Sequence, residues 1–175
     1  SLNVSLFDNI NIRSGGGSIE FGSGAIGGTI HLNDELRFGK YVKNQLVVSI
    51  GSFETYHNLY KFSFGSATTA IKVGLSYNES ENNYKWLGYN LKNENGAYHN
   101  TDFSFSIAQK ISKFSKISFN TSKYDGVRQF SGQLPNPFAA KEKYKDFSFR
   151  NLLNFNYQKN ERSHTLKFAY LTQEY

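Results

Sequence analysis

The sequence predicts an all-β protein of antiparallel strands, and three observations carry that expectation. Aromatic residues are dense, with 16 Phe and 12 Tyr against a single Trp in 175 residues. Ser, Asn, Thr and Gly are abundant where Ala and Leu are sparse, a mixture that favours strands and turns over helices. From Gln45 to Tyr175 apolar residues recur at alternate positions, the period of a strand with one apolar face.

The chain divides into three stretches. Residues 1–33 are rich in glycine, residues 34–44 form a polar connector holding Asp34, Glu35, Arg37 and Lys40, and residues 45–175 alternate. Seven apolar sets follow one another there: Leu46 to Ile50, Tyr60 to Phe64, Ile71 to Tyr77, Phe103 to Ile107, Ile117 with Phe119, Phe147 to Tyr157 around Asn151, and Leu166 to Tyr170. Residues between them are small, polar or charged, among them Lys72, Gly74, Ser104 and Asn154. Each strand therefore has one bulky apolar face and one wet face.

The connections separate two all-β architectures. Those at Gly65-Ser66, Ser112 to Ser115 and Lys159 to Ser163 are short; those at Ser80 to Asn100 and Asp125 to Lys145 are long. Apart from a tight first turn near Phe53-Glu54, long and short alternate, as in an outer-membrane barrel. A soluble antiparallel sandwich also gives one wet face, but it does not call for long aromatic strands with alternating loop lengths. The expected fold is an antiparallel transmembrane β-barrel segment of about seven strands.

Several function classes are disfavoured. The longest apolar runs are a few residues, such as Leu46-Val47-Val48, so no membrane helix is expected. There is no Cys, hence no disulfide or thiolate metal site. The net charge of +6 is spread along the chain without a nucleic-acid module, so no nucleic-acid partner is expected. His31, His57, His99 and His164 lack metal spacing, and no catalytic motif occurs. The expectation is a non-enzyme with no metal and no cofactor. Ser1 in place of Met suggests a processed or excised segment.

Residues 13–32 carry a family signal. The end of the plug domain in TonB-dependent outer-membrane receptors runs from an apolar strand through R-G and a small-residue turn to Y-G and G-S-x-A-I-G-G-x-I-N-[ILV]. Here Ile10, Ile12 and Arg13 match the strand, Gly16 to Ser18 the turn, and Phe21-Gly22 the Y-G pair. Ser23, Ala25-Ile26-Gly27-Gly28, Ile30 and Leu32 match the remainder. His31 departs from the usual Asn, and Ser14 stands where Gly is usual. The segment resembles that plug end, and Gly51-Ser52-Phe53 with Tyr56 resembles the family's first barrel hairpin.

The resemblance implies a division into plug end (1–33), connector (34–44) and N-terminal barrel strands (45–175). It makes Gly22, Gly24, Ala25, Gly27 and Gly28 a structural plug motif. It implies a bacterial outer-membrane location, with lipid and a TonB-type periplasmic energising protein as partners. The implied activity is energised uptake of a scarce small-molecule or chelate ligand: siderophore, haem, cobalamin or oligosaccharide. A passive porin or adhesin barrel, or a soluble carbohydrate-binding sandwich, is the alternative. Starting from a periplasmic plug, strand counting puts 80–100 and 125–145 outside the cell and the short turns in the periplasm. Ile71, Val73, Leu75, Phe103 and Phe105 are then expected to face lipid, with Lys72 on the wet face and replaceable by Ser at little cost. Ligand contacts are expected from Tyr84, Tyr89, Tyr98, Arg128, Phe130 and Phe138 in the long loops, while Trp86 suits an aromatic girdle at the membrane edge.

Overall fold

The computed structural model describes residues 4–15, 27–33, 35–132 and 141–175. Among these described residues the chain is all-β, with two antiparallel sheets and one short 3₁₀ turn, Val4–Leu6. Strands β1 (Asn9–Ser14) and β2 (Gly28–Asn33) form a two-stranded sheet. Strands β3 (Tyr41–Gly51), β4 (Thr55–Gly65), β5 (Thr69–Ser80), β6 (Tyr98–Lys110), β7 (Ser115–Gln129), β8 (Lys143–Lys159) and β9 (Arg162–Glu174) form a seven-stranded meander in sequence order. The sheet does not close into a barrel: β3 and β9 stand at its two edges. Strand β3 opens at Tyr41, inside the stretch expected to be connector. It pairs residue for residue with β4, and ladder pairing outweighs the polar side chains of Lys43 and Asn44.

Register decides what each face presents. One row crosses all seven strands through Val42, Phe64, Ile71, Ile107, Phe119, Leu153 and Phe168. It is wholly apolar, and its residues are half-buried from Phe64 to Phe119 and exposed at Val42, Leu153 and Phe168. Leu46 is 71 % exposed, Ile50 76 % and Phe168 62 %. The opposite face holds Lys72, Ser76, Asp102, Ser106, Asp146 and Ser148, all buried. Among the described residues the one other sheet is the small β1–β2 pair, and the buried side chains of the large sheet lie on its polar side. We call the polar side the inner face.

The extent of the apolar band differs from strand to strand. On β3 it covers Leu46 to Ile50, on β5 Ile71 to Tyr77, but on β7 it stops at Phe119. Beyond that point Lys123 and Asp125 occupy the outer face, aligned with Phe103 and Thr101 of β6. On β9 it runs from Leu166 to Tyr170.

Connections sort by end. Residues 66–68, 111–114 and 160–161 lie at the end where β3 begins; 52–54, 81–97, 130–132 and 141–142 lie at the other. The short turns are locally specified. Ser66 Oγ accepts the N–H groups of Thr68 and Thr69, and Ser112 Oγ those of Phe114 and Ser115. Asn160 adopts a left-handed φ of 55° in the last turn, a conformation Asn tolerates better than most residues.

The N-terminal turn packs on the inner face through Leu6, which is buried. Gly74 makes room for it: a Cβ there would lie 2.8 Å from Leu6 Cδ2 and 2.5 Å from Ser104 Oγ. In the small sheet, a Cβ on Gly28 would meet the Arg13 carbonyl oxygen at 2.6 Å, whereas Gly27 faces open space. The close-approach role in the Gly27-Gly28 pair therefore belongs to Gly28. Gly74→Val should lift the N-terminal turn off the sheet without unfolding β3–β9. Hydrogen exchange should show faster exchange at residues 4–8 and unchanged protection in β5 and β6. Unchanged exchange at 4–8 would contradict the packing.

Candidate functional site

Two neighbourhoods bring together residues of functional character: a cleft at the long-loop end, and the seat of the N-terminal segment.

The cleft encloses about 330 Å³ and is built from three adjacent strands. Tyr98 of β6, Arg128 of β7 and Tyr144 of β8 are direct cross-strand neighbours in one inner-face row. The Arg128 guanidinium lies 5.2 Å from the Tyr144 ring centre and 5.5 Å from that of Phe130, within cation–π range. One row deeper stand Asn100 and Asp146, flanking Gly126, then Tyr124. A Cβ on Gly126 would lie 2.5 Å from the Tyr124 hydroxyl, so the glycine gives that ring its place. The cleft offers a fixed cation, phenol hydroxyls, an amide and a carboxylate, which suits a ligand held by polar contacts and ring faces.

The long loops form one connected structure over this end. Within 81–97, Lys85 and Lys92 bridge a small hairpin, with Trp86 N–H donating to Leu91 O at 3.0 Å and Asn93 N–H to Tyr84 O at 2.9 Å. Phe53, at the β3–β4 tip, holds a left-handed φ of 61°. Its carbonyl accepts from Ser80 Oγ at 3.1 Å and from the Glu81 N–H at 3.1 Å. Its ring packs edge-on to Tyr84, which in turn meets Trp86 at 5.6 Å. Asn95 Nδ2 reaches the carbonyls of Phe130 and Glu142, tying loop 81–97 to loop 130–142. The short 52–54 turn is thus an anchor for its longer neighbour.

Of the expected ligand residues, Tyr98 and Arg128 line the cleft and Phe130 stacks on Arg128. Tyr84 packs inside the loop assembly, and Tyr89 is exposed at the small hairpin's turn without lining the cleft. Phe138 lies outside the described residues, as do Gly22, Gly24 and Ala25. Trp86 sits on the loop hairpin and not on a strand, so it is not part of a strand-borne girdle. Tyr124, Tyr144, Asn100 and Asp146 fall outside the sequence expectation. The signal for the first two was their parity: both share the face of Arg128 once register is known.

The second neighbourhood joins the N-terminal segment to the sheet. Asp8 Oδ2 pairs with Lys72 Nζ at 2.5 Å and accepts the Glu35 N–H at 3.1 Å; Oδ1 lies 4.0 Å from Lys61 Nζ. Lys61 Nζ donates to the Ser5 carbonyl at 2.8 Å. Asn9 Nδ2 and the Arg37 guanidinium both donate to the Glu35 carboxylate. Lys72 is accordingly a buried, paired cation at 8 % exposure. The expectation that it is a wet-face lysine replaceable by Ser at little cost meets a different setting, since the substitution would remove the nearest cation of the Asp8 carboxylate.

No protein-family model matches the chain, and no curated protein matches its sequence. Among the described residues no three His, Cys, Asp or Glu side chains gather as a metal site would need. No helix among them is long and apolar enough to cross a membrane.

Burial pushes the Asp8 carboxyl upward, but the hydrogen bond and charge of Lys72, the Glu35 N–H and the charge of Lys61 outweigh it. They hold Asp8 below the ordinary value of 3.8. A depressed folded value means the contact's stabilisation is complete above that ordinary value and is lost as pH falls through the folded one. Docking of residues 4–8 should therefore be constant from neutral pH to about 5 and weaken below about 4. Asp8→Asn should weaken it at neutral pH by about 1–2 kcal/mol and remove the acid step. Exchange rates at Leu6 and Phe7 report both, and an acid step surviving in Asp8→Asn would assign it elsewhere.

Proposed function

We propose that this chain belongs to a TonB-dependent outer-membrane transporter, with residues 1–33 ending the plug and β3–β9 forming the first strands of a transmembrane barrel. The observation that carries the reading is inverted polarity: an apolar row crossing seven strands is exposed or half-buried, while Lys72, Ser76, Asp102 and Ser106 on the opposite face are buried. A soluble monomer rarely exposes a contiguous apolar patch of more than a few hundred Å², and a sandwich would bury that row against a second sheet. Lipid is the solvent that suits it. The edges of β3 and β9 need partner strands, which further barrel strands would supply.

The N-terminal segment supports the plug half of the reading. It meets the inner face through one apolar knob and a few polar contacts, an attachment that a periplasmic energising protein could release without breaking the sheet. Loop length agrees with orientation: apart from the 52–54 turn, short turns gather at the end where β3 begins and long loops at the other. The ligand would be a scarce small molecule or chelate, met first at the Tyr98–Arg128–Tyr144 cleft.

The absence of native Cys makes the orientation testable in intact cells. Leu87, 97 % exposed, is the better outward site, since Asn93 in the same loop is 1 % exposed. Leu87→Cys should react with a membrane-impermeant thiol reagent on whole cells. Asn160→Cys should react only once the outer membrane is opened. Labelling in the reverse order would overturn the proposal.

A further inference from the structure

The geometry points to a ligand carrying several negative charges, an inference that rests on the inner face lining a lumen. Register stacks the inner-face cations in rows running from the long-loop end to the short-turn end. Arg128 stands in the rim row with Tyr98 and Tyr144. The next two rows hold Asp146 and then Asp102. Below them, Lys61 and Arg150 share a row through Gly74, Ser104 and Ser122. Lys43 and Lys72 share the next, through Ser63. Lys167 follows beside Asn154, and Lys110 faces Lys116 in the row after that.

The inner face of β3–β9 thus carries eight cations against two carboxylates. Below Arg150 each step is two residues, about 7 Å. From the N-terminal segment, Asp8 meets Lys72 and Lys61, and both belong to the middle of the series. On the outer face of β7 the charges come as the opposed neighbours Lys123 and Asp125. A wall on which cations outnumber carboxylates, backed by apolar side chains, focuses field lines along it. Such a face draws in an anion, repels a cation and gains nothing from an uncharged ligand.

The test uses the whole protein containing this chain, with iron(III) tris(catecholate), which is triply negative, and the uncharged iron(III) tris(acetohydroxamate) as probes. The anionic chelate should associate faster and bind tighter, and its association rate should fall steeply as salt is raised. Arg150→Gln and Lys167→Gln together should slow its association about tenfold, with no effect from Lys123→Gln on the outer face. The salt dependence needs no variant, so it stands even if a substitution disturbs folding. Equal binding of both chelates, tighter binding of the uncharged one, or no binding of the anion would overturn the inference. Uptake in the presence of an uncoupler separates it from the parent reading. Anion-selective binding without energised uptake leaves this inference standing and removes the transporter, whereas energised uptake of the uncharged chelate does the reverse.

Discussion

The fold rests on one constraint: every residue of a strand must pair its backbone while presenting its side chain to one of two opposite environments. The meander from β3 to β9 satisfies the first requirement through six continuous ladders, leaving only the outer edges of β3 and β9. The second fixes the sequence. A period of two assigns Ile71, Val73 and Leu75 to one side and Ala70, Lys72, Gly74 and Ser76 to the other, and a slip of one residue would exchange them. In water the apolar side would have to be inside. Here small and polar groups are inside, and they hydrogen-bond to one another, as Ser76 does to Asp102 at 3.0 Å.

An inner face built from Ser, Asn, Gly and Ala also leaves room. Gly74 and its neighbour Ser104 give Leu6 a shallow seat, and Lys72 and Lys61 rise beside it to meet Asp8 and the Ser5 carbonyl. The attachment of the N-terminal segment is therefore mostly polar and local, whereas the sheet's cohesion is spread along whole strands. Two structures of different strength share one chain, so the weaker can move while the stronger holds.

Much of this was legible from alternation alone, because alternation is a backbone property that every strand must obey. The seven apolar sets correspond to the seven strands of the sheet, and apart from the 52–54 turn long and short connections sorted to opposite ends. What sequence could not give was whatever depends on a partner far along the chain. Tyr41 to Asn44 look like connector until β4 is beside them. Lys72 looks like a wet surface lysine until Asp8, 64 residues earlier, is paired with it. Asn93 reads as an exposed loop residue, yet its amide donates to the Asn82 carbonyl and it is buried. Tyr124 and Tyr144 entered the cleft because register put them in line with Arg128, and register is set by turn lengths that span loops of ambiguous extent.

The central claim is that the exposed apolar face meets lipid. Fluorophores attached to single cysteines at Val73 and Asn120 compare the two faces in one protein reconstituted into bilayers. With spin-labelled lipid tails as quenchers, the outer-face site at Val73 should be strongly quenched and the inner-face site at Asn120 only weakly. Equal quenching at both positions, or stronger quenching at Asn120, would contradict the account.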